Sequence, residues 1–238
     1  VKITILGTYI GLICAIFLIP FFISIANNFF PLFKPYIVHI LILLMSYMIL
    51  KDKNRFWNFL LFFISGTLGI IVFSIPNLNE PLFPMLSGLF GVSGLLISYF
   101  ENTNIPLQKI NNKIKIKTKT MIKAIFGSSI ATLFIQFFPG LGPAQGAVIS
   151  SQIVKNIKNK GYLALVGAMG TMSVVFSLVT FYVLGKAKDG TIVVISKLLN
   201  IDFNSFLVLI IVFLIAGSIS VFLTLYVSKV FSKLIVKV

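Results

Sequence analysis

Acid is what this chain has least of. Five Asp and Glu stand against 20 Lys and Arg, with one His, one Cys and one Trp in 238 residues. Each scarcity removes a class of chemistry. Asp52, Glu80, Glu101, Asp189 and Asp202 fall in loops or at the edges of apolar runs, so no carboxylate is placed mid-membrane for a proton relay of the Asp/Glu type. His39 has no acidic or cysteine neighbours and reads as a hydrogen-bonded structural residue rather than a metal ligand. Cys14, alone inside an apolar run, excludes an intramolecular disulfide framework and reads as a small packing residue. No phosphate-cradling glycine loop with a lysine and no Gly-x-Ser-x-Gly nucleophile motif is present. An intramembrane hydrolase would lack its paired base. The expected protein is therefore not an enzyme and needs no metal or cofactor.

What the chain has instead is grease. Hydrophobic residues make up 58% of it, charged residues 11%, and the mean hydropathy is +1.06. Those values exclude soluble globular classes and imply an all-α, polytopic integral membrane protein. The net charge of +15 does not imply a nucleic-acid partner, because the lysines sit between apolar runs rather than among base-stacking aromatics. The partner they imply is the lipid bilayer.

Crossing about 30 Å of hydrocarbon takes about 20 apolar residues. Such windows occur near 3–25, 36–50, 56–75, 81–100, 121–138, 162–185 and 206–228, giving about six spanning helices plus one irregular element. The division is a four-helix segment over 1–100, a basic cytoplasmic linker over 101–120, and a last segment over 121–238. The glycines at 66 and 69, and at 88, 91 and 94, read as close helix contacts. The basic residues fix the sides. Placing Lys51, Lys53 and Arg55 in the cytoplasm puts Lys2 and the cluster at 109–123 there, with an outer turn at 76–80 that carries no Lys or Arg. Lys155, Lys158 and Lys160 join that side only if 121–154 enters and leaves the membrane on the same face. That requirement makes 121–154 a re-entrant hairpin. A short interfacial helix is expected at 191–199 in an outer loop, and both termini are expected in the cytoplasm of a cell-membrane protein. Sixteen basic residues then lie inside, and Lys34, Lys186, Lys188 and Lys197 outside. The loop 101–120, with its Lys-Ile-Lys-Ile-Lys run, is expected at the anionic inner surface, where each lysine contributes about 1 kcal/mol.

The tip of the hairpin is QFFPGLGPAQG, residues 136–146. Proline removes a backbone donor and glycine lowers helix propensity, so residues 139–143 break the helix. A break at membrane depth is tolerated only inside protein or beside a wet cavity. Pro139, Gly140, Gly142 and Pro143 are the expected break formers. The backbone N–H groups of Ala144, Gln145 and Gly146, at the positive end of a new half-helix, are the expected anion donors. Gln136, Gln145, Ser150, Thr171 and Ser173 are the expected polar liners. The glycines of 167–173 are expected to let the hairpin pack closely on the next helix.

The segments LFPMLSGLFGVSGLLI (82–97) and IFGSSIATLFIQFFPGLGPAQGAVIS (125–150), joined by a basic linker, resemble the second half of the tripartite tricarboxylate transporter large permease (TctA) family. Members repeat Pro-Gly-x-Gly at the end of an apolar helix in each half of an inverted pair, matched here by Pro139, Gly140 and Gly142. The residues that follow are closer to the archaeal branch. The resemblance implies a secondary transporter for a small, carboxylate-type solute, with a coupling cation such as sodium or a proton and an extracytoplasmic binding protein as partner. One Pro-Gly-x-Gly is present, so the chain, which does not begin with methionine, reads as the C-terminal half of a longer permease whose N-terminal half is a further partner. No basic residue lies within the predicted cavity. The alternative reading is a non-transporting subunit that docks a partner through 101–120.

Overall fold

The computed structural model describes residues 1–51, 53–75, 84–85, 87–101, 116–138, 140–154 and 157–235. Pro139, Lys155, Asp52, the expected outer turn at 76–80 and most of the 101–120 linker, with Lys109, Lys113 and Lys115, lie outside the described residues. No strand occurs among those described. The helices are α1 (Lys2–Phe33), α2 (Ile37–Lys51), α3 (Arg55–Ser74), α4 (Ser93–Glu101), α5 (Thr118–Gln136), α6 (Pro143–Ile153), α7 (Asn159–Leu184), α8 (Gly190–Leu198) and α9 (Phe203–Ile235). Four helical runs, Lys2–Lys51, Arg55–Ser74, Asn159–Leu184 and Phe203–Ser232, are long and apolar enough to cross a membrane. The chain is a multi-pass helical membrane protein.

Residues 2–51 are helical without interruption. The loop expected between the first two windows is replaced by a 3-10 turn at Lys34–Tyr36, and its flanks Phe33 and Ile37 keep right-handed helical dihedrals. Pro35 pre-sets its own helical φ there, and no glycine offers an exit.

The chain forms two compact units, one of residues 1–37 and 108–238, the other of residues 38–107. In the smaller unit none of the described residues is buried, and α3 presents Phe56, Trp57, Phe63 and Ile70 outward. The glycines at 66, 69, 88, 91 and 94 have nothing within 4 Å of where a Cβ would stand, so among the described residues they do not make the close helix contacts expected of them.

The close contacts lie in the larger unit, around α7. That helix is apolar all round, and its residues from Ala164 to Thr180 are largely buried, as a helix at the centre of a bundle must be. Helix α1 packs along it in parallel. Gly7 meets Ala164 and Gly11 meets Ala168, so a Gly-x3-Gly ridge lies on an Ala-x3-Ala ridge. A methyl on Gly11 would stand 2.7 Å from Ala168 Cα. Further along, Phe22 stacks on Phe176 with ring centroids 4.8 Å apart. Gly167 abuts Thr4 of α1, which corrects its expected place against the hairpin: that face of α7 is already taken by α1.

Helix α5 is parallel to α7 as well. Thr120 faces Gly161, and Ser128 Oγ donates to Leu165 O at 3.0 Å. Helix α9 runs the other way, with Phe206 stacked on Tyr182 at 4.6 Å and Leu12 against Gly217. Helices α1, α5 and α7 thus begin, and α9 ends, at one basic end of the unit that carries Lys2, Lys117, Lys119, Lys123, Lys158, Lys160 and Lys229.

Candidate functional site

Between Gln136 and Pro143 the chain reverses. Gly146 of α6 lies against Ile135 of α5, and farther from the tip Gly127 of α5 lies against Ser150 and Val154 at the end of α6. Pairing that runs backward along one helix as it runs forward along the other is an antiparallel hairpin. Helix α5, with 19 residues, is about 28 Å long, and α6, with 11, about 16 Å, too short to cross a bilayer. Helix α6 therefore runs back along α5 toward the basic end of the unit.

Local chemistry explains the tip. The last turn of α5 tightens to i→i+3 bonds, Phe137 N–H to Phe134 O at 3.3 Å and Phe138 N–H to Ile135 O at 3.1 Å. The residue four beyond Ile135 is a proline and has no N–H to give its carbonyl. Gly140 takes φ +76°, a left-handed conformation open to glycine at little cost. Gly142 then caps α6 in extended backbone with Pro143 in the first turn, and Gln145 reaches back so that Gly142 N–H donates to Oε1 at 3.0 Å.

The expected site residues fall in four places. At the tip stand Gln136, Gly140, Gly142, Pro143, Ala144, Gln145 and Gly146. Gly146 N–H already donates to Gly142 O at 3.1 Å, and a methyl on Gly146 would stand 2.8 Å from Met169 Sδ and 2.9 Å from Ile135 Cδ1, so this glycine joins hairpin to core. Ser150 lies away from the tip, buried at the α5 contact, its Oγ without a hydrogen-bond partner among the described residues. Thr171 is elsewhere. Its Oγ1 donates to Thr8 O at 2.9 Å in a cleft between α1, α7 and α9. Ser173 is buried two residues on, on the face of α7 that also carries Ser177.

Gln136 differs from its neighbours on α5. Ser128, Ser129 and Thr132 are buried and bond back to carbonyls one turn earlier, at 2.7, 2.9 and 2.6 Å. Gln136 is 2% exposed, and neither amide atom has a hydrogen-bond partner among the described residues. An unmet buried polar group costs about 1–3 kcal/mol, so its amide stands ready for a ligand or water.

A cation arrives from a part of the chain that sequence spacing did not connect to the break. Gly185, at φ +64°, ends α7 and turns the next residues back along it, where Asp189 N–H donates to Ser177 Oγ at 3.3 Å. That fold carries Lys188 Nζ onto the Ile135 carbonyl. The expectation that no basic residue reaches the site is thereby corrected. Burial pushes the Lys188 ammonium down to about 8, against the neighbouring Asp189 carboxylate, which pulls it up. Lys186 lies over the Phe30 ring, 5.1 Å from its centroid, and Phe30 in turn lies 5.8 Å from Phe137 at the tip. The one signal in the sequence was two lysines after a glycine-capped helix. Nothing local said where they fold back. Among the described residues no group of His, Cys, Asp and Glu could hold a metal ion.

An uncharacterized protein of Methanocaldococcus jannaschii is 29% identical over 230 residues, covering 94% of this chain and 56% of the relative. The chain thus spans little more than half the length of that relative. No solved structure matches it. The model of one family matches residues 1–238, and on that match the chain belongs to the tripartite tricarboxylate transporter TctA family, a family of membrane permeases and not of enzymes.

Proposed function

We propose that this chain is part of a secondary transporter and that a small anionic solute of the carboxylate class binds at the break between α5 and α6. The observation that carries the reading is the buried amide of Gln136, without a partner among the described residues, at the end of a reversing hairpin. Gly140, Gly142 and Pro143, with Pro139, form the break. The N–H groups of Ala144 and Gln145 open a half-helix whose positive end favours an anion. Alternating access comes from this repeat moving against an inverted counterpart in the other half of the permease, driven by sodium or a proton, with an extracytoplasmic binding protein delivering solute. The basic end of the larger unit faces the cytoplasm, and with it both termini. The test is uptake of radiolabelled citrate into proteoliposomes holding the complete permease. Gly142→Leu is expected to abolish uptake while membrane insertion stays intact. Uptake at the unaltered rate would sink the proposal.

A further inference from the structure

We propose that Lys188 is a solute-binding residue, its ammonium pairing with a carboxylate of the anionic solute at the hairpin tip. The inference rests on the reading of the break as the solute site.

An ammonium carries three donors, and Lys188 directs one to a neutral acceptor, the Ile135 carbonyl. A half-buried cation resting on a neutral oxygen has given up water, and the Asp189 carboxylate offsets that loss only in part. The nearest carboxylate in sequence does not supply one in full, since Asp189 Oδ2 is buried and lacks a hydrogen-bond partner among the described residues. Helix α5 ends at this point, and the negative end of its dipole favours a cation. An arriving carboxylate would find the ammonium there, and the buried Gln136 amide one residue beyond Ile135. Ile135 also carries the other half of the break, because its side chain is the one that Gly146, in the first turns of α6, lies against. The lysine therefore meets the same residue, Ile135, that Gly146 of α6 lies against, and Gln136 is the next residue in the chain.

The charged groups near Lys188 are Asp189 on its own loop and Lys186, which is held over Phe30 of α1. The end of α5 contributes a carbonyl and Gln136, and α7 contributes Ser177, none of which titrates. The ammonium sits at a perturbed position, lowered to about 8, so its charge is lost across an accessible pH range. A bound anion raises it again, so solute and proton bind together.

The experiment measures binding of acetate, succinate and citrate to the detergent-solubilised full chain at pH 7 and pH 9. Wild-type affinity is expected to fall about tenfold over that interval, as a group titrating near 8 loses its proton. Lys188→Met is expected to bind at least tenfold more weakly at pH 7. Lys188→Arg, whose guanidinium stays charged, is expected to keep its affinity at both pH values. Should the methionine variant prove unstable, the arginine variant decides alone, since a fall at pH 9 equal to that of the wild type would overturn the inference. Binding that Gly142→Leu removes and Lys188→Met leaves untouched overturns the role of Lys188 and spares the site. Absence of binding by any of the three probes overturns both.

Discussion

Lys188 Nζ donates to the carbonyl oxygen of Ile135, 53 residues earlier in the chain. The bond closes the end of α5, where proline at position 139 has withdrawn the N–H that an unbroken helix would supply. A break made by local chemistry is thus completed by a residue from the far end of α7.

Gly146 is where the hairpin meets the core, with Met169 Sδ and Ile135 Cδ1 within 2.9 Å of any added methyl. Gly146→Val should destabilise the protein by about 1–3 kcal/mol through overpacking. Thermal unfolding in detergent reads the effect. An unchanged midpoint would mean that α6 is not held against α7 in this way.

Gln136→Leu removes an unmet buried amide while roughly keeping its volume. Stability should rise by about 1–3 kcal/mol while solute binding weakens. A loss of both stability and binding would show that the amide has a protein partner and holds the fold rather than the solute.

Lys188 also sets a pH dependence of stability. Its folded-state value of about 8 lies below the ordinary lysine value of 10.5, so between the two the unfolded chain holds more protons than the folded one. Stability should therefore rise with pH from about 8, and Lys188→Met should remove that rise. Unfolding midpoints at pH 7.5, 8.5 and 9.5 test the sign, and a wild-type midpoint that falls relative to the variant would contradict it.

The polarity of the larger unit is testable with single thiols in a Cys14→Ser background. Lys119→Cys and Lys158→Cys should react with a membrane-impermeant maleimide from the same face, and Lys197→Cys from the other. Reaction of Lys119→Cys and Lys158→Cys from opposite faces would require α5 and α6 to form one crossing.

Much of this was legible in the residues themselves. Apolar runs of bilayer length marked the helices because hydrocarbon leaves the backbone no other partners. The proline and glycines at 139–143 marked the break, because they remove a donor and lower helix propensity. The short helix expected at 191–199 corresponds to α8. Glycine pairing was not legible. The tracts at 66–69 and 88–94 look like packing motifs yet meet none of the described residues, whereas Gly7 and Gly11, which lie at the same spacing as other small residues, meet Ala164 and Ala168. Spacing shows that a helix has a flat stripe and says nothing of what lies on it. Thr171 and Ser173 lie close in sequence, but two residues on a helix are turned about 200° apart.

Composition and the order of residues by themselves determined a helical membrane protein and the place where its backbone breaks. These follow from local steric and solvation rules. Tertiary structure alone decided that Gln136 is left without a partner among the described residues and that Lys188 reaches the Ile135 carbonyl, because such contacts depend on how α1, α5 and α7 pack side by side, and no local rule encodes a meeting across 53 residues.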